Sequence, residues 1–144
     1  MKRKLQTLRQ WAQLQQLKFD QARQSEVAAR AQLEQARGTL VQLQEYHQEY
    51  ALRPGRCNTL TLNNNQLFRE RLQQAIDHQH GVVGEKEIAH HSAQAELHAN
   101  YRKHKSAAEF YARQQRIWRQ FCDRQELKQL DEMAQQSYAR YQEK

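Results

Sequence analysis

The sequence predicts an all-α protein, with two long helices in an antiparallel coiled-coil hairpin and the second helix longer than the first. Four glycines and one proline in 144 residues leave few turn signals, and strong helix formers dominate the remainder. Only 38% of the residues are hydrophobic, which is too few for a thick globular core. A heptad pattern near the start of the chain is the third observation. We expect residues 1 to 144 to form a single domain.

The first helix is predicted over residues 3 to 52. A ladder of positions that step alternately by three and four residues gives this segment the spacing of a coiled-coil seam. Such a sustained seam argues against disorder in a polar, glutamine-rich chain. Two of its polar members, Glu26 and His47, are expected to set the register. The ladder consists of Leu5, Leu8, Ala12, Gln15, Phe19, Ala22, Glu26, Ala29, Leu33, Ala36, Leu40, Leu43, His47 and Tyr50.

A connection is predicted over residues 53 to 63. Pro54 disfavours helical geometry in the residue before it, and Gly55 is a permissive turn residue, so the first helix should end near Leu52. Asn63 to Asn65 resemble an N-terminal cap, so the second helix is predicted over residues 64 to 141. A connection of about ten residues makes the two helices antiparallel neighbours.

The second helix carries a less regular apolar stripe than the first. Gly81 and Gly84 lie inside it, and each costs about 1 kcal/mol relative to alanine. They mark its weakest point, where a kink or a local break is expected. The predicted stripe consists of Phe68, Leu72, Ala75, Ile76, Val82, Val83, Ile88, Ala89, Ala93, Leu97, Tyr101, His104, Ala108 and Tyr111.

The end of the second helix has no predicted partner within the chain. Folding about residue 58 places Leu5 beside the region of Tyr111, so residues 112 to 144 remain unmatched. An amphipathic helix with an unmatched apolar face is more often a docking element than an idle tail, and fraying or self-association is the competing interpretation. Partner docking on this late helix is expected through Ile117, Trp118, Phe121, Leu127, Leu130 and Tyr138.

The formal net charge of +7 is unevenly distributed. Residues 1 to 30 sum to +5, residues 31 to 100 to −2, and residues 101 to 144 to +4. In a hairpin the two basic ends lie together, and their field attracts an acidic partner. The basic residues alternate with acids and glutamines rather than forming a run, which argues against generic nucleic-acid binding.

No pattern in the sequence indicates an enzyme, a cofactor site or a metal site. Adjacent histidines such as His90 and His91 point in different directions on a helix. Cys57 and Cys122 lack metal or redox spacing, and no phosphate loop or nucleophile elbow is present. The basic start of the chain is not followed by an apolar stretch, so neither a secretory signal nor a membrane anchor is expected. These features predict a cytoplasmic, non-catalytic protein.

Aromatic residues cluster beside the predicted connection. Leu43, Tyr46 and Tyr50 share one face of the first helix, and an antiparallel fold brings them next to Phe68, Leu72 and Ala75 of the second. One interpretation is that these residues form the core at that end of the hairpin. The other is a partner interface, because two helices cannot bury so many large side chains and tyrosine suits a half-exposed surface.

These same residues make the chain similar to FliJ, a small component of the flagellar type III export apparatus. The similarity rests on the order and spacing of the Leu-x-x-Tyr-x-x-x-Tyr run of residues 43–50, the asparagine-rich connection, Phe68, Leu72 and Ala75-Ile76. The segment Lys-Gln-Leu-Asp-Glu-Met-Ala-Gln-Gln of residues 128–136 adds to it. The resemblance covers nearly the whole chain.

The resemblance implies a stalk-like coiled coil that inserts through the hexameric export ATPase (FliI-like) and reaches the export gate protein (FlhA-like). It also implies escort of export chaperones, for which the late helix is the expected site. Nucleic acid is not an implied partner, and contact with the inner membrane would come only through partners. The implied export-gate residues are Leu43, Tyr46, Tyr50, Phe68, Leu72 and Ala75.

Two positions depart from the family pattern, and two other functions compete. Thr39 stands where the family offers a glutamine, and Gln79 stands where it offers a histidine, which would alter gate binding in detail. One competitor is the equivalent stalk of a virulence injectisome. The other is a basic coiled-coil nucleic-acid-associated protein, whose binding should weaken steeply with ionic strength.

Overall fold

The computed structural model of the chain describes residues 2–52 and 59–143, and these residues confirm the all-α hairpin of two long helices. The first helix, α1, covers Lys2–Leu52, and the second, α2, covers Thr59–Gln142. The predicted turn residues Pro54 and Gly55, together with Cys57, lie outside the described residues. Because α1 has 51 residues and α2 has 84, the second helix is the longer one, as expected.

The helix α2 begins earlier than the sequence suggested. Residues from Thr59 onward are already helical, so Asn63 to Asn65 lie inside the helix and do not cap it. Asparagine is only a few tenths of a kcal/mol less favourable than most residues in a helix interior. Once a helix has nucleated, propagation through such residues is therefore inexpensive.

The chain divides into two compact units, and α1 packs antiparallel to α2 within each. Unit 1 comprises Met1–Phe19 and Asn100–Lys144, and unit 2 comprises Asp20–Ala99. In unit 1 the ring of Phe19 lies 5.3 Å from that of His104 and 5.6 Å from that of Tyr101. In unit 2, rising numbers along α1 meet falling numbers along α2, as the cross-helix pairs Glu26–His90, Ala36–Gln79 and Tyr50–Phe68 demonstrate.

The burial pattern of α1 confirms the predicted ladder. Each ladder position from Leu5 to Tyr50 is buried or half-buried, and every other described side chain of α1 is exposed. The best-packed layer lies in unit 2, where Leu33, Ala36 and Val83 form a buried cluster flanked by Leu40 and Val82. The seam therefore holds the two helices together as its spacing predicts.

The seam of α2 differs from the predicted stripe. Ile88 is 73% exposed and Tyr101 is 46% exposed, and Ala89 and Ala108 are exposed as well. The structure instead shows a ladder with the same alternating three- and four-residue steps as that of α1, with several polar members, although residues beside it such as Ala75 and Val82 are half-buried too. It consists of Leu72, Ile76, Gln79, Val83, Lys86, His90, Ala93, Leu97, Asn100, His104, Ala107, Tyr111, Gln114 and Trp118.

Hydrogen bonds between the helices satisfy some of the polar residues in this seam, whereas His104 Nδ1 is buried without a partner among the described residues. Gln79 Nε2 donates to the carbonyl oxygen of Ala36 at 2.9 Å, and Lys86 Nζ donates to Gln32 Oε1 at 3.2 Å. A buried polar group that keeps a partner avoids most of its desolvation cost. Polar residues can therefore occupy seam positions at which a heptad pattern predicts apolar residues.

The helix α2 passes through Gly81 and Gly84 without the predicted break. Neither glycine adopts a positive φ. Between them, Val83 is buried in the cluster with Leu33, and Val82 packs against that cluster. This packing stabilises the helical conformation at the point where its intrinsic propensity is lowest.

Candidate partner-binding surfaces

The first candidate surface is the tyrosine surface, by which we mean Leu43, Tyr46, Tyr50, Phe68, Leu72 and Ala75. All six residues belong to unit 2. The rings of Tyr50 and Phe68 lie 4.6 Å apart with a tilt of 56°, so the structure brings the two helices' aromatic residues into contact. Leu43, Leu72 and Ala75 are half-buried and provide the floor of the surface.

Heptad lettering shows how these residues are related. If Leu8 on α1 and Ala107 on α2 are assigned to position d, the seam of each helix occupies positions a and d. The tyrosine surface then contains only d residues (Leu43, Tyr50, Leu72) and g residues (Tyr46, Phe68, Ala75). In an antiparallel pair, the g positions of both helices lie along the same side of the seam. The whole set therefore lies along one flank of unit 2.

Within this flank, exposure divides the side chains into two kinds. Tyr46 is 55% exposed and Phe68 is 42% exposed, whereas Tyr50 is half-buried against Phe68. A tyrosine beside a packed seam offers a large apolar area with a polar end and loses little side-chain freedom on binding. Tyr46 is the most exposed residue of this surface.

Thr39 and Gln79, which the resemblance marks as departures from the family pattern, lie on the same flank. Thr39 occupies position g, and its hydroxyl donates to the carbonyl oxygen of Gln35 at 3.1 Å. Gln79 occupies position d, and its amide group is engaged with Ala36 across the seam. Gln79 therefore also joins the helices, a role that the sequence reading did not assign to it.

The second candidate surface is the part of the late helix that begins at Ile117. Trp118 is half-buried and stacks on Phe121, with ring centroids 5.7 Å apart. The sequence predicted that residues 112 to 144 would have no partner within the chain. The exposed segment is shorter than this, because Gln114, Trp118 and Cys122 are half-buried. Every described residue after Cys122 is exposed. The exposed residues of the predicted docking set are Ile117 at 44%, Phe121 at 47%, Leu127 at 61%, Leu130 at 61% and Tyr138 at 65%.

An ionic cluster in the seam of unit 2 links the two helices. Glu26 is 4% exposed, and its carboxylate accepts hydrogen bonds from Arg30 at 2.6 Å and from His90 Nε2 at 3.0 Å. The hydrogen bonds from Arg30 and His90 lower the pKa of Glu26, and the same contact raises the pKa of Arg30. The sequence identified Glu26 as a register residue but missed His90, because the predicted stripe ran through Ile88 and Ala89.

The charge differs between the two units. The part of unit 1 that includes residues 1–19 and 100–117 has ten basic residues and one acidic residue, a net charge of +9. The rest of unit 1, residues 118–144, is neutral, and unit 2 carries −2. The charge of +7 therefore originates in a single region.

The described residues offer no candidate metal centre or membrane span. Among them, no group of three or more histidine, cysteine, aspartate or glutamate side chains is arranged to hold a metal ion. Neither helix, over its described length, includes a stretch long and apolar enough to cross a bilayer.

Comparison with protein families gives a match over nearly the whole chain. Residues 1–143 match the protein-family model described as "Flagellar FliJ protein". No curated protein and no solved structure matches the chain. The family match covers both units and both candidate surfaces.

Proposed function

The chain belongs to the FliJ family of flagellar type III export components, and we propose that it is the coiled-coil stalk that joins the FliI-like export ATPase ring to the FlhA-like export gate. The flagellar family favours this system over the equivalent stalk of a virulence injectisome. In this proposal the protein has no catalytic role. It is cytoplasmic and reaches the inner-membrane export apparatus only through its partners.

The arrangement of the tyrosine surface is the main support for the gate contact. Its members occupy positions d and g alone, and so they share one flank of unit 2. Tyr46 is exposed on this flank beside the packed pair Tyr50 and Phe68. An exposed aromatic residue held by a rigid seam is typical of an interface hot spot.

The charge distribution supports the ATPase contact. A region with a net charge of +9 attracts acidic surfaces over a Debye length of about 8 Å at physiological ionic strength. Unit 2, which carries the tyrosine surface, has a net charge of −2. The two units are therefore suited to partners of different charge.

Chaperone escort is proposed for the late helix. After Cys122 its described residues are exposed, and its apolar members include Leu127, Leu130 and Tyr138. A regular apolar stripe on an exposed helix is suited to docking in a groove of another helical protein.

Binding of the cytoplasmic part of the gate protein to purified variants tests the stalk proposal. Tyr46→Ala should weaken binding by about tenfold or more, the usual effect of losing a hot-spot tyrosine, and should leave helicity unchanged because the side chain is mainly exposed. Tyr46→Ala combined with Tyr50→Ala should abolish binding. The affinity is measured by calorimetric titration, and folding by circular dichroism.

Val41→Ala is the matched control for this experiment. Val41 is 50% exposed on the same helix but occupies position b, away from the tyrosine surface, so its substitution should leave the affinity unchanged. Wild-type affinity in a folded Tyr46→Ala, Tyr50→Ala double variant would refute the gate assignment.

A basic coiled-coil protein that associates with nucleic acid is the alternative, favoured by the region of net charge +9. Binding to phosphates would fall steeply as salt increases and would not respond to Tyr46→Ala. The same titration repeated at two salt concentrations separates this function from docking through the tyrosine surface.

A further inference from the structure

A groove in unit 1 lies within the region of net charge +9 that the proposed ATPase contact uses, and it also presents exposed aromatic residues that an electrostatic contact does not require. We define the basic groove by its lining: Leu5, Thr7, Leu8 and Trp11 from α1 with Ser106 and Phe110 from α2. Both helices contribute to it, and the half-buried leucines of the seam lie at its floor. Arg3 and Lys4 line one end of it.

Two large aromatic side chains are exposed on opposite walls of the groove. Trp11 is 41% exposed and Phe110 is 43% exposed. Each occupies position g of its helix, the position next to the seam, so the two walls belong to the same flank of unit 1. Exposed tryptophan and phenylalanine beside a groove between two helices are typical anchors for a third helix.

The charges along this flank are all of one sign. Lys4 and Lys18 occupy position g one heptad before and after Trp11, and Lys103 occupies position g one heptad before Phe110. Glu109 is the one acidic residue within residues 1–19 and 100–117. It occupies position f, on the side of α2 away from the seam. An approaching helix therefore meets cations around an apolar floor.

We propose that the basic groove binds an acidic amphipathic helix of a partner protein. The apolar face of that helix would pack on Trp11, Phe110 and the leucines below them, and its glutamates and aspartates would face Arg3, Lys4 and the lysines at position g. Such a helix combines the helix-in-groove mode of recognition with charge complementarity. The inference rests on the groove's own residues. It shares cations with the proposed ATPase contact but depends neither on that contact nor on the tyrosine surface.

Other occupants fit the groove less well. A second copy of this chain would have to supply its exposed late helix, but residues 118–144 have no net charge and give no electrostatic complement to a region of +9. A nucleic acid would use the cations but would leave the recessed leucine floor unused. The acidic helix satisfies the apolar and the charged components together.

The test uses the full chain and a fluorescent synthetic helix of about 20 residues, which is long enough to hold helical structure. This peptide carries leucines along one face and glutamates elsewhere, and a second peptide carries lysine in place of each glutamate. Fluorescence anisotropy measures the affinity. The glutamate peptide should bind, and the lysine peptide should not.

Matched variants locate the binding site. Trp11→Glu and Phe110→Glu should each reduce the affinity for the glutamate peptide by about tenfold or more. Leu17→Glu is the control, because Leu17 is 55% exposed in unit 1 but does not line the groove. It adds the same charge and should change the affinity by less than about twofold. Circular dichroism confirms that each variant is folded.

Four results would overturn the proposal. The first is an equal loss of affinity in all three variants, which would mean that charge alone drives binding. The second is binding of the lysine peptide. The third is that the chain sediments as a dimer and that Phe110→Glu dissociates this dimer, because a second copy would then cover the groove. The fourth is that single-stranded DNA binds as tightly as the peptide and that Trp11→Glu reduces the affinity for both to the same extent.

Discussion

At the scale of single residues, Glu26 provides a specific contact between the two helices. Its carboxylate lies in the seam of unit 2 and is held by Arg30 from its own helix and by His90 from the other. A buried carboxylate without these donors would bear a large desolvation cost. A register slip of either helix would separate Glu26 from His90, so the pair favours the observed alignment over neighbouring ones.

The contribution of Glu26 to stability should depend on pH. Hydrogen bonds from Arg30 and His90 lower the pKa of Glu26 below its ordinary value of 4.5. The folded state therefore favours the ionised carboxylate, and the stabilisation is complete above about pH 4.5 and is lost as the pH falls through the folded-state pKa. The Glu26→Gln variant lacks this dependence, so the difference in free energy of unfolding between wild type and variant should shrink on acidification.

Urea unfolding at a series of pH values from about 6 to about 3 measures this difference. Glu45→Gln is the control, because Glu45 is an exposed carboxylate of the same helix. If the difference in free energy of unfolding between wild type and Glu26→Gln stayed constant across this pH range, the carboxylate would not be stabilised by its two donors.

At the scale of helices, the intrinsic helix propensity of α2 is low where Gly81 and Gly84 flank the buried Val83. A methyl group added at either glycine meets no atom within 4 Å, and both residues are helical. Replacing either glycine with alanine removes the conformational freedom of glycine in the unfolded chain without creating a clash. Gly81→Ala and Gly84→Ala should each raise the free energy of unfolding by about 1 kcal/mol.

Chemical denaturation of the purified variants checks this prediction. Gly38→Ala in α1 is a useful comparison, because it too has open space around the added methyl group and should give a similar gain. If Gly81→Ala and Gly84→Ala were destabilising while Gly38→Ala was stabilising, the native helix would have to depart from regular geometry near Val83.

At the scale of the whole molecule, the described part of the chain after Cys122 makes no contribution to the seam. Residues 123–143 are all exposed, so their removal leaves the packed seam of unit 1 intact. Truncation after Cys122 should leave the free energy of unfolding unchanged. Truncation after Tyr111 also removes the half-buried Trp118 and should lower the free energy of unfolding. Urea unfolding of the two truncated chains measures the difference.

The same truncation after Cys122 addresses the proposed chaperone escort. The shortened chain should remain folded and fail to capture an export chaperone in a pull-down, while keeping its affinity for the gate protein. A lower stability of this truncated chain would assign a structural role to the late helix, and undiminished capture would place the chaperone site elsewhere.

The architecture was largely predictable because long-range packing follows from short-range periodicity in a coiled coil. The ladder from Leu5 to Tyr50 could be read directly, since most of its members are apolar and the helix period brings them to one face. The stripe of α2 could not be read in this way. Ile88 looks like a core residue but is exposed, whereas Lys86 and His90 lie in the seam.

The sequence by itself determined the two-helix fold, the seam of α1, the location of the basic residues and the family resemblance. Each of these depends on local helix propensity or on the order of residues along the chain. Only the tertiary structure decided which residues of α2 face the seam, because Gln79, Lys86 and His90 are tolerated there through hydrogen bonds to the other helix. It alone also placed Trp11 and Phe110 on the walls of one groove in unit 1, because a groove between two helices depends on their local register.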